Sequence, residues 1–378
     1  MPPAVLASVL HGPRDLRLES RTLPSLSPTD VQLSILTTGL CGSDLHYYTH
    51  FRNGDILVRE PLTLGHESSG VITALGSAVN GLSVGDRVAL EVGQPCEECE
   101  LCTSGRYNIC RGMKFRSSAK AFPHAQGTLQ EEVVMPARWV HKLPEDVSSE
   151  MGALAEPLAV ALHAEKRGGL KEGGNVLVFG AGAVGLLCAA VSKAVTKARV
   201  VVVADIQEER VRFAVDNGFA DGGIVVPMGR RAEGVEGKLE YAREVSTLVK
   251  ELVVKGEAVG EVQGTYECTG VESCMQSAIY ATAPGGKIMI IGMGNPIQTL
   301  PISAASLREV DLVGVFRYAN TYPRAIELLA SKNPLLPDLT KLITQRFKGM
   351  DNIPKAFDMA ARVKDGDGNL VLKVVVDM

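Results

Sequence analysis

Val176-Leu177-Val178-Phe179-Gly180-Ala181-Gly182-Ala183-Val184-Gly185 is the stretch on which the reading of the fold turns. Four apolar residues in a row predict a strand buried on both faces, and the glycines after them spell G-x-G-x-x-G where a helical stretch begins. In that pattern Gly180 permits the tight turn, Gly182 lets a pyrophosphate approach the backbone, and Gly185 brings helix and strand together. The anion then sits on the helix N-terminus. Asp205 stands at the end of the next apolar strand, Arg199-Val200-Val201-Val202-Val203-Ala204, where such a unit places its acid. A carboxylate there accepts from the adenosine ribose hydroxyls and repels a 2′-phosphate, which favours NAD over NADP. The plainer role for Asp205 is a cap on the following helix. Arg210, further along, either covers the adenine or binds such a phosphate.

Working outward, Gly286-Lys287-Ile288-Met289-Ile290-Ile291 reads as a further buried strand, so 158–298 is expected to be an α/β domain with a doubly wound parallel sheet. Within it, Lys238 to Val254 places Tyr241, Val245, Leu248 and Leu252 among charges, the pattern of an amphipathic surface helix. Upstream, the chain changes character. Val31-Gln32-Leu33-Ser34-Ile35-Leu36 alternates, Ser69-Gly70-Val71-Ile72-Thr73-Ala74-Leu75 is β-rich, and Asp86-Arg87-Val88-Ala89-Leu90 follows a glycine turn. These short strands predict a compact β-rich domain over 1–157. The turns and strands from 299 to 378, ending in Val371-Leu372-Lys373-Val374-Val375-Val376, are expected to pack back onto it.

The composition excludes several classes. Lys+Arg 39 against Asp+Glu 43 gives a net charge of −4, without the polycationic field that holds a phosphate backbone, so no nucleic-acid partner is expected. Hydrophobic residues at 46% and charged residues at 22% are those of a folded globular chain. The uncharged run from Val176 to Val191 falls short of the ~20 residues that cross a bilayer. No basic region followed by an apolar stretch opens the chain, so a secretory signal is not expected and the compartment is read as the cytoplasm.

Five of the eight cysteines lie between Cys41 and Cys110. Without a secretory signal, clustered thiols point to metal rather than to disulfides. Cys96-x2-Cys99-x2-Cys102-x7-Cys110 offers four thiolates in one short loop, which suits a tetrahedral structural zinc. The rival iron–sulfur pattern closes with a three-residue gap and a proline; here the gap is seven and Arg111 follows. A second set is dispersed: Cys41, then His66-Glu67, then Glu156. Singly these are a buried small residue, a histidine and two acids with no special task. Together they supply a catalytic zinc with protein ligands and an open position. Spacing alone leaves both readings standing.

Cys41-Gly42-Ser43-Asp44, Gly65-His66-Glu67, Gly85-Asp86-Arg87-Val88, the four-cysteine loop and the glycine fingerprint follow one another in the order that resembles zinc-dependent medium-chain dehydrogenases, over essentially the whole chain. His46-Tyr47-Tyr48, Glu156-Pro157 and Phe316-Arg317-Tyr318 resemble the polyol branch, the sorbitol (L-iditol) and xylitol dehydrogenases, and the intact four-cysteine set its fungal and bacterial members. The resemblance implies a GroES-like catalytic domain built from both chain ends around a Rossmann domain, with NAD and two Zn2+ per chain. Cys41, His66 and Glu67 would hold the catalytic zinc, with Glu156 binding its water or exchanging as a ligand. Ser43 and His46 would begin a proton relay. Tyr47, Glu156, Arg317 and Tyr318 would contact the polyol. Val184, Asp205, Arg210, Ile291, Gly292, Met293, Val315, Phe316 and Arg317 would line NAD. An open zinc position lowers the pKa of a bound hydroxyl by several units, as alcohol oxidation near neutral pH requires. The implied reaction turns a secondary hydroxyl into a ketone, of the sorbitol-to-fructose or xylitol-to-xylulose type, in a homo-oligomer, commonly a tetramer. L-arabinitol, a butanediol and threonine are alternative substrates. A non-catalytic NAD- and zinc-binding regulator or structural protein is the alternative of a different class. The loop Phe115-Arg116-Ser117-Ser118-Ala119-Lys120 is more basic than the Phe-x-Ala-Thr-Pro-Pro type usual in the branch, which bears on the substrate.

Overall fold

The alternating run at 31–36 becomes the strand Asp30–Gly39, whose side chains point by turns into and out of a core. In the computed structural model, which describes residues 4–228 and 234–378, this strand lies inside a seven-stranded sheet. Glu67–Leu75 pairs antiparallel along it, and Arg87–Leu90 and Val140–Lys142 follow outward. Lys373–Asp377 pairs with it too, with Ile343–Lys348 beyond, so the C-terminal end of the chain completes the N-terminal sheet. Leu10, Leu62, Leu64, Leu129, Ile353 and Phe357 are buried together in the core of this unit.

The second unit is a six-stranded parallel sheet. Its strands lie in the order Gly222–Val225, Val200–Asp205, Asn175–Phe179, Val262–Glu267, Thr282–Ile290 and Asp311–Gly314. Counted along the chain this order is 3-2-1-4-5-6, the doubly wound arrangement. It reverses between Asn175–Phe179 and Val262–Glu267, and the glycine turn follows the first of these two strands. Every residue of Asn175–Phe179 is buried, as the unbroken apolar run requires. The helix expected at 238–254 runs from Gly234 to Glu251 and buries Ala242, Val245, Ser246 and Val249, while Leu248 stands exposed.

The boundaries differ from those expected. One unit holds residues through Ala159 with Ala319–Ser331 and Thr340–Met378, and the parallel-sheet unit holds Val160–Tyr318 with Lys332–Leu339. Residues 299–318 thus leave the catalytic domain to which the sequence pattern assigned them. The cause is the sixth strand: Asp311–Gly314 pairs parallel with Lys287–Ile290. As an edge strand it is mostly exposed and carries no apolar run to signal a parallel sheet.

Candidate active site and its two metal centres

Cys41 follows the strand Asp30–Gly39 and caps the helix Gly42–His50 in extended geometry. Asp44, the third residue of that helix, accepts from the Cys41 backbone N–H at 3.3 Å, which closes a capping box. Its side chain is wholly buried. Oδ1 accepts from Gly65 N (3.2 Å) and the Ser117 hydroxyl (2.5 Å) and lies 3.2 Å from His66 Nδ1. Burial alone would raise the Asp44 pKa, but the His66 charge and these bonds hold it below the usual value. Tied at Nδ1, His66 offers its other ring nitrogen, 3.5 Å from the Ser43 hydroxyl. Asp44 was legible only as part of a motif, and its task of fixing the His66 ring becomes visible in the folded chain.

Strand pairing does the rest. Gly39 stands opposite Glu67 in the register, so Cys41 and the His66-Glu67 pair converge. One donor atom from each of Cys41, His66 and Glu67 lies within 4.8 Å of the others. These residues fit a catalytic zinc, which takes three protein ligands and keeps one position open. Glu156 is buried in the first turn of the helix Ala155–Gly168 and lies outside that group of three. A residue that the sequence pattern showed only as part of the last strand completes the site. Lys373 Nζ lies 2.6 and 2.8 Å from the two Glu67 oxygens and 3.2 Å from Leu40 O.

The other four cysteines form a near-regular cluster. Sulfur separations are 3.5 Å for Cys96–Cys110 and Cys99–Cys102, 3.8 Å for Cys99–Cys110 and 3.9 Å for Cys96–Cys102. A tetrahedron with Zn–S bonds of ~2.3 Å has edges of about 3.8 Å, so the sulfurs stand where a zinc would draw them. Hydrogen bonds from the Glu98 and Cys99 backbones bring the Cys96 thiol down to about 7. In the same lobe, the Tyr107 hydroxyl donates to Glu91 at 2.6 Å and accepts from Asn320 N at 2.7 Å.

In the parallel-sheet unit the fingerprint glycines behave as their spacing predicts. Gly180 has φ +94°, and a Cβ on Gly185 would overlap the Gly180 carbonyl oxygen. A Cβ on Gly182 would meet nothing within 4 Å, which is the open face a pyrophosphate needs. Asp205 Oδ2 accepts from Ala181 N at 2.7 Å and Oδ1 from Gln207 N at 2.9 Å, so it ties the glycine turn to the next helix. Its capping and ribose-binding readings are compatible, since each oxygen keeps a free lone pair. Arg210 Nε is buried without a partner among the described residues, a donor awaiting an acceptor. These features fit a bound dinucleotide. Val184 is half-buried beside them. The Ile291 and Gly292 N–H groups donate to Glu267 O at 2.9 Å, Val315 N donates to Ile290 O at 3.0 Å, and Met293 is exposed.

The remaining candidates divide between the units. Tyr47 is buried, and its hydroxyl accepts from Ala119 N at 3.2 Å. His46 is exposed, its ring centroid 6.2 Å from that of His50, and among the described residues no hydrogen bond joins it to Ser43. Arg317 has φ +52° and its guanidinium lies over the Phe316 ring, 4.7 Å from the centroid; Tyr318 is buried. The basic loop has an internal use: Arg116 donates to Gln126 O at 3.1 Å and Val134 O at 2.6 Å, and burial brings its pKa down to about 10.

Comparison with known proteins agrees with this geometry. Residues 27–145 match the alcohol dehydrogenase GroES-like domain, and residues 183–331 match the zinc-binding dehydrogenase model. The chain belongs to the zinc-binding dehydrogenases, NAD-dependent oxidoreductases of the medium-chain type. It is 42% identical to sorbitol dehydrogenase of Mus musculus, covering 98% of this chain and 95% of that one. It is 36% identical to L-idonate 5-dehydrogenase of Vitis vinifera, covering 99% and 94%. The crystal structure of 2R,3R-butanediol dehydrogenase from Bacillus subtilis matches at TM-score 0.79 and 26% identity, with 99% of each chain covered. Among the described residues no helix is long and apolar enough to cross a membrane.

Proposed function

We propose that this protein oxidises a secondary hydroxyl of a polyol to a ketose with NAD, of the sorbitol-to-fructose or xylitol-to-xylulose type. The observation that carries the reading is the convergence of Cys41, His66 and Glu67 within 4.8 Å, in a chain 42% identical to a sorbitol dehydrogenase along its length. Zinc at these residues would lower the pKa of a coordinated substrate hydroxyl, and NAD would accept the hydride. Asp44 holds the His66 ring so that one nitrogen faces the metal. Ser43, whose hydroxyl lies 3.5 Å from His66 Nε2, and the exposed His46 lead the released proton to water. Glu156 holds a water or a neighbouring hydroxyl. Tyr47, Arg317 and Tyr318 bind further hydroxyls and so choose which carbon reacts. Gly180, Gly182, Gly185 and Asp205 bind the pyrophosphate and ribose.

A homo-oligomer, a tetramer by resemblance, accompanies this reading. Its support is the edge strand Asp311–Gly314, which pairs on one side only among the described residues, with Ile297 87% and Leu307 86% exposed in the same unit. Light scattering after gel filtration tests it. A reducing cytosol suits eight cysteines of which none forms a disulfide among the described residues and five are zinc-ligand candidates, and fractionation of cells tests that placement.

The function itself is tested by NADH formation at 340 nm across sorbitol, xylitol, L-arabinitol, L-idonate, 2,3-butanediol and threonine, with zinc assayed on the same sample. Polyol turnover with two zinc ions per chain is the expected result. Turnover confined to butanediol, L-idonate or threonine would overturn the polyol assignment, and NAD binding without turnover of any alcohol would favour the regulator.

A further inference from the structure

We infer that Lys373 is a positioning residue of the catalytic metal centre, a built-in counter-ion that holds Glu67 in place without metal and weakens the grip on zinc when metal is bound. The inference rests on Cys41, His66 and Glu67 being the zinc ligands.

Lys373 lies on the strand Lys373–Asp377, which pairs along one edge of Asp30–Gly39 at its Gly39 end, while Glu67 lies on the strand pairing along the other edge. Two sequence-distant strands thus bring an ammonium and a carboxylate together beneath the metal position. Lys373 is 4% exposed and Glu67 1%. The ammonium meets both carboxylate oxygens, at 2.6 and 2.8 Å, and the Leu40 carbonyl at 3.2 Å, so all three of its protons have acceptors. Leu40 is the residue before Cys41, so one ammonium ties together the chain segments of two ligands. Room for this arrangement comes from Gly39: a Cβ there would overlap the Glu67 carboxylate, closer than any side chain tolerates.

A buried carboxylate without a partner is strongly unfavourable. In the metal-free protein Lys373 is the partner of Glu67. In the loaded protein zinc also neutralises Glu67, and Lys373 then adds a positive charge beside a divalent cation. Removing the Lys373 charge therefore penalises the metal-free protein more than the loaded one. By the thermodynamic cycle, zinc affinity rises by the same factor. Lys373 keeps the site formed and the Glu67–metal bond weak.

The test follows zinc leaving the folded enzyme into a chromogenic chelator, with the four-cysteine zinc of the same chain as internal reference, and melting temperatures of stripped and reloaded protein. Lys373→Met is expected to release catalytic zinc about tenfold or more slowly and to gain more in melting temperature on reloading than the wild type does. Lys373→Arg, which keeps charge and hydrogen bonds, is expected to restore wild-type values. Should the Met variant not fold, Lys373→Gln keeps a donor to Glu67 without the charge and is expected to give the same slow release. Release at the wild-type rate or faster, or equal melting losses with and without zinc, overturns the inference. A wild-type chain that retains only the four-cysteine zinc overturns the ligand assignment with it.

Discussion

Asp44 offers the sharpest test of how the catalytic metal site is held. Three buried donors converge on Oδ1, namely Gly65 N, the Ser117 hydroxyl and His66 Nδ1, whereas among the described residues Oδ2 takes only the long bond from Cys41 N. Asp44→Asn with its amide oxygen at the Oδ1 position keeps the first three contacts and sets a donor against Cys41 N. Losing that cap and the charge-assisted character of the remaining bonds costs about 1–2 kcal/mol. Asp44→Ala strands these three donors and Cys41 N as well, the buried ones at about 1–3 kcal/mol each, partly relieved by rotation of the Ser117 hydroxyl, so a total of about 3–6 kcal/mol is expected. The metal responds differently from the fold. His66 loses its anionic partner in both variants, and weakening of such a contact typically lowers metal affinity 10–100-fold. The assay pairs denaturant unfolding of zinc-loaded protein with chelator competition, counting the catalytic and the four-cysteine zinc separately. Asn is expected to lose most of the catalytic zinc affinity at small cost in stability, and Ala to lose both. An Asn variant that binds catalytic zinc like the wild type would refute the role assigned to Asp44.

Three further perturbations address the other parts of the molecule. Asp205→Ala should lower the preference for NAD over NADP by about tenfold or more, because the carboxylate that repels a 2′-phosphate is gone; an unchanged ratio of kcat/KM values removes Asp205 from the ribose. Cys99→Ser should bring metal content from two zinc ions to one and lower the melting temperature, with the remaining zinc still at Cys41, and a second ion kept at full occupancy would contradict the four-sulfur site. Glu267 tests the sign of a buried acid. Burial raises its pKa above 4.5 despite bonds from the Thr269 and Gly270 N–H groups, so the folded chain holds this proton more tightly than the unfolded one. Its contribution is fully present below pH 4.5 and is lost as pH rises through the folded value. The melting temperature of Glu267→Gln relative to wild type should therefore climb between pH 4.5 and neutrality, and a pH-independent difference would refute the shift.

Much of the fold was legible because it rests on short-range patterns. A continuous apolar strand, the glycines Gly180, Gly182 and Gly185, and Asp205 after the next strand define a mononucleotide-binding unit within one strand–helix–strand segment. The four cysteines from Cys96 to Cys110 likewise define their own site, since four thiolates in one short loop are already close enough to share a tetrahedral ion. The edge strand Asp311–Gly314 escaped this reading because pairing on one side leaves its residues mostly exposed. Arg116 was legible as a charge in a loop, but its use as a donor to two carbonyls depends on segments 10 and 18 residues away.

By itself, then, the sequence determined the classes of element, the dinucleotide cradle and the four-sulfur centre, each being encoded by neighbours along the chain. The catalytic metal centre is of another kind. Cys41 and His66 stand in separate connections with a helix and short strands between them, and Lys373 is 306 positions from Glu67. Only the register of the strands Asp30–Gly39, Glu67–Leu75 and Lys373–Asp377 makes them neighbours. Loop closure over such separations is settled by the burial of the whole sheet, so no local pattern could show that Glu67 would meet an ammonium, or that Asp44 would fix the ring of His66.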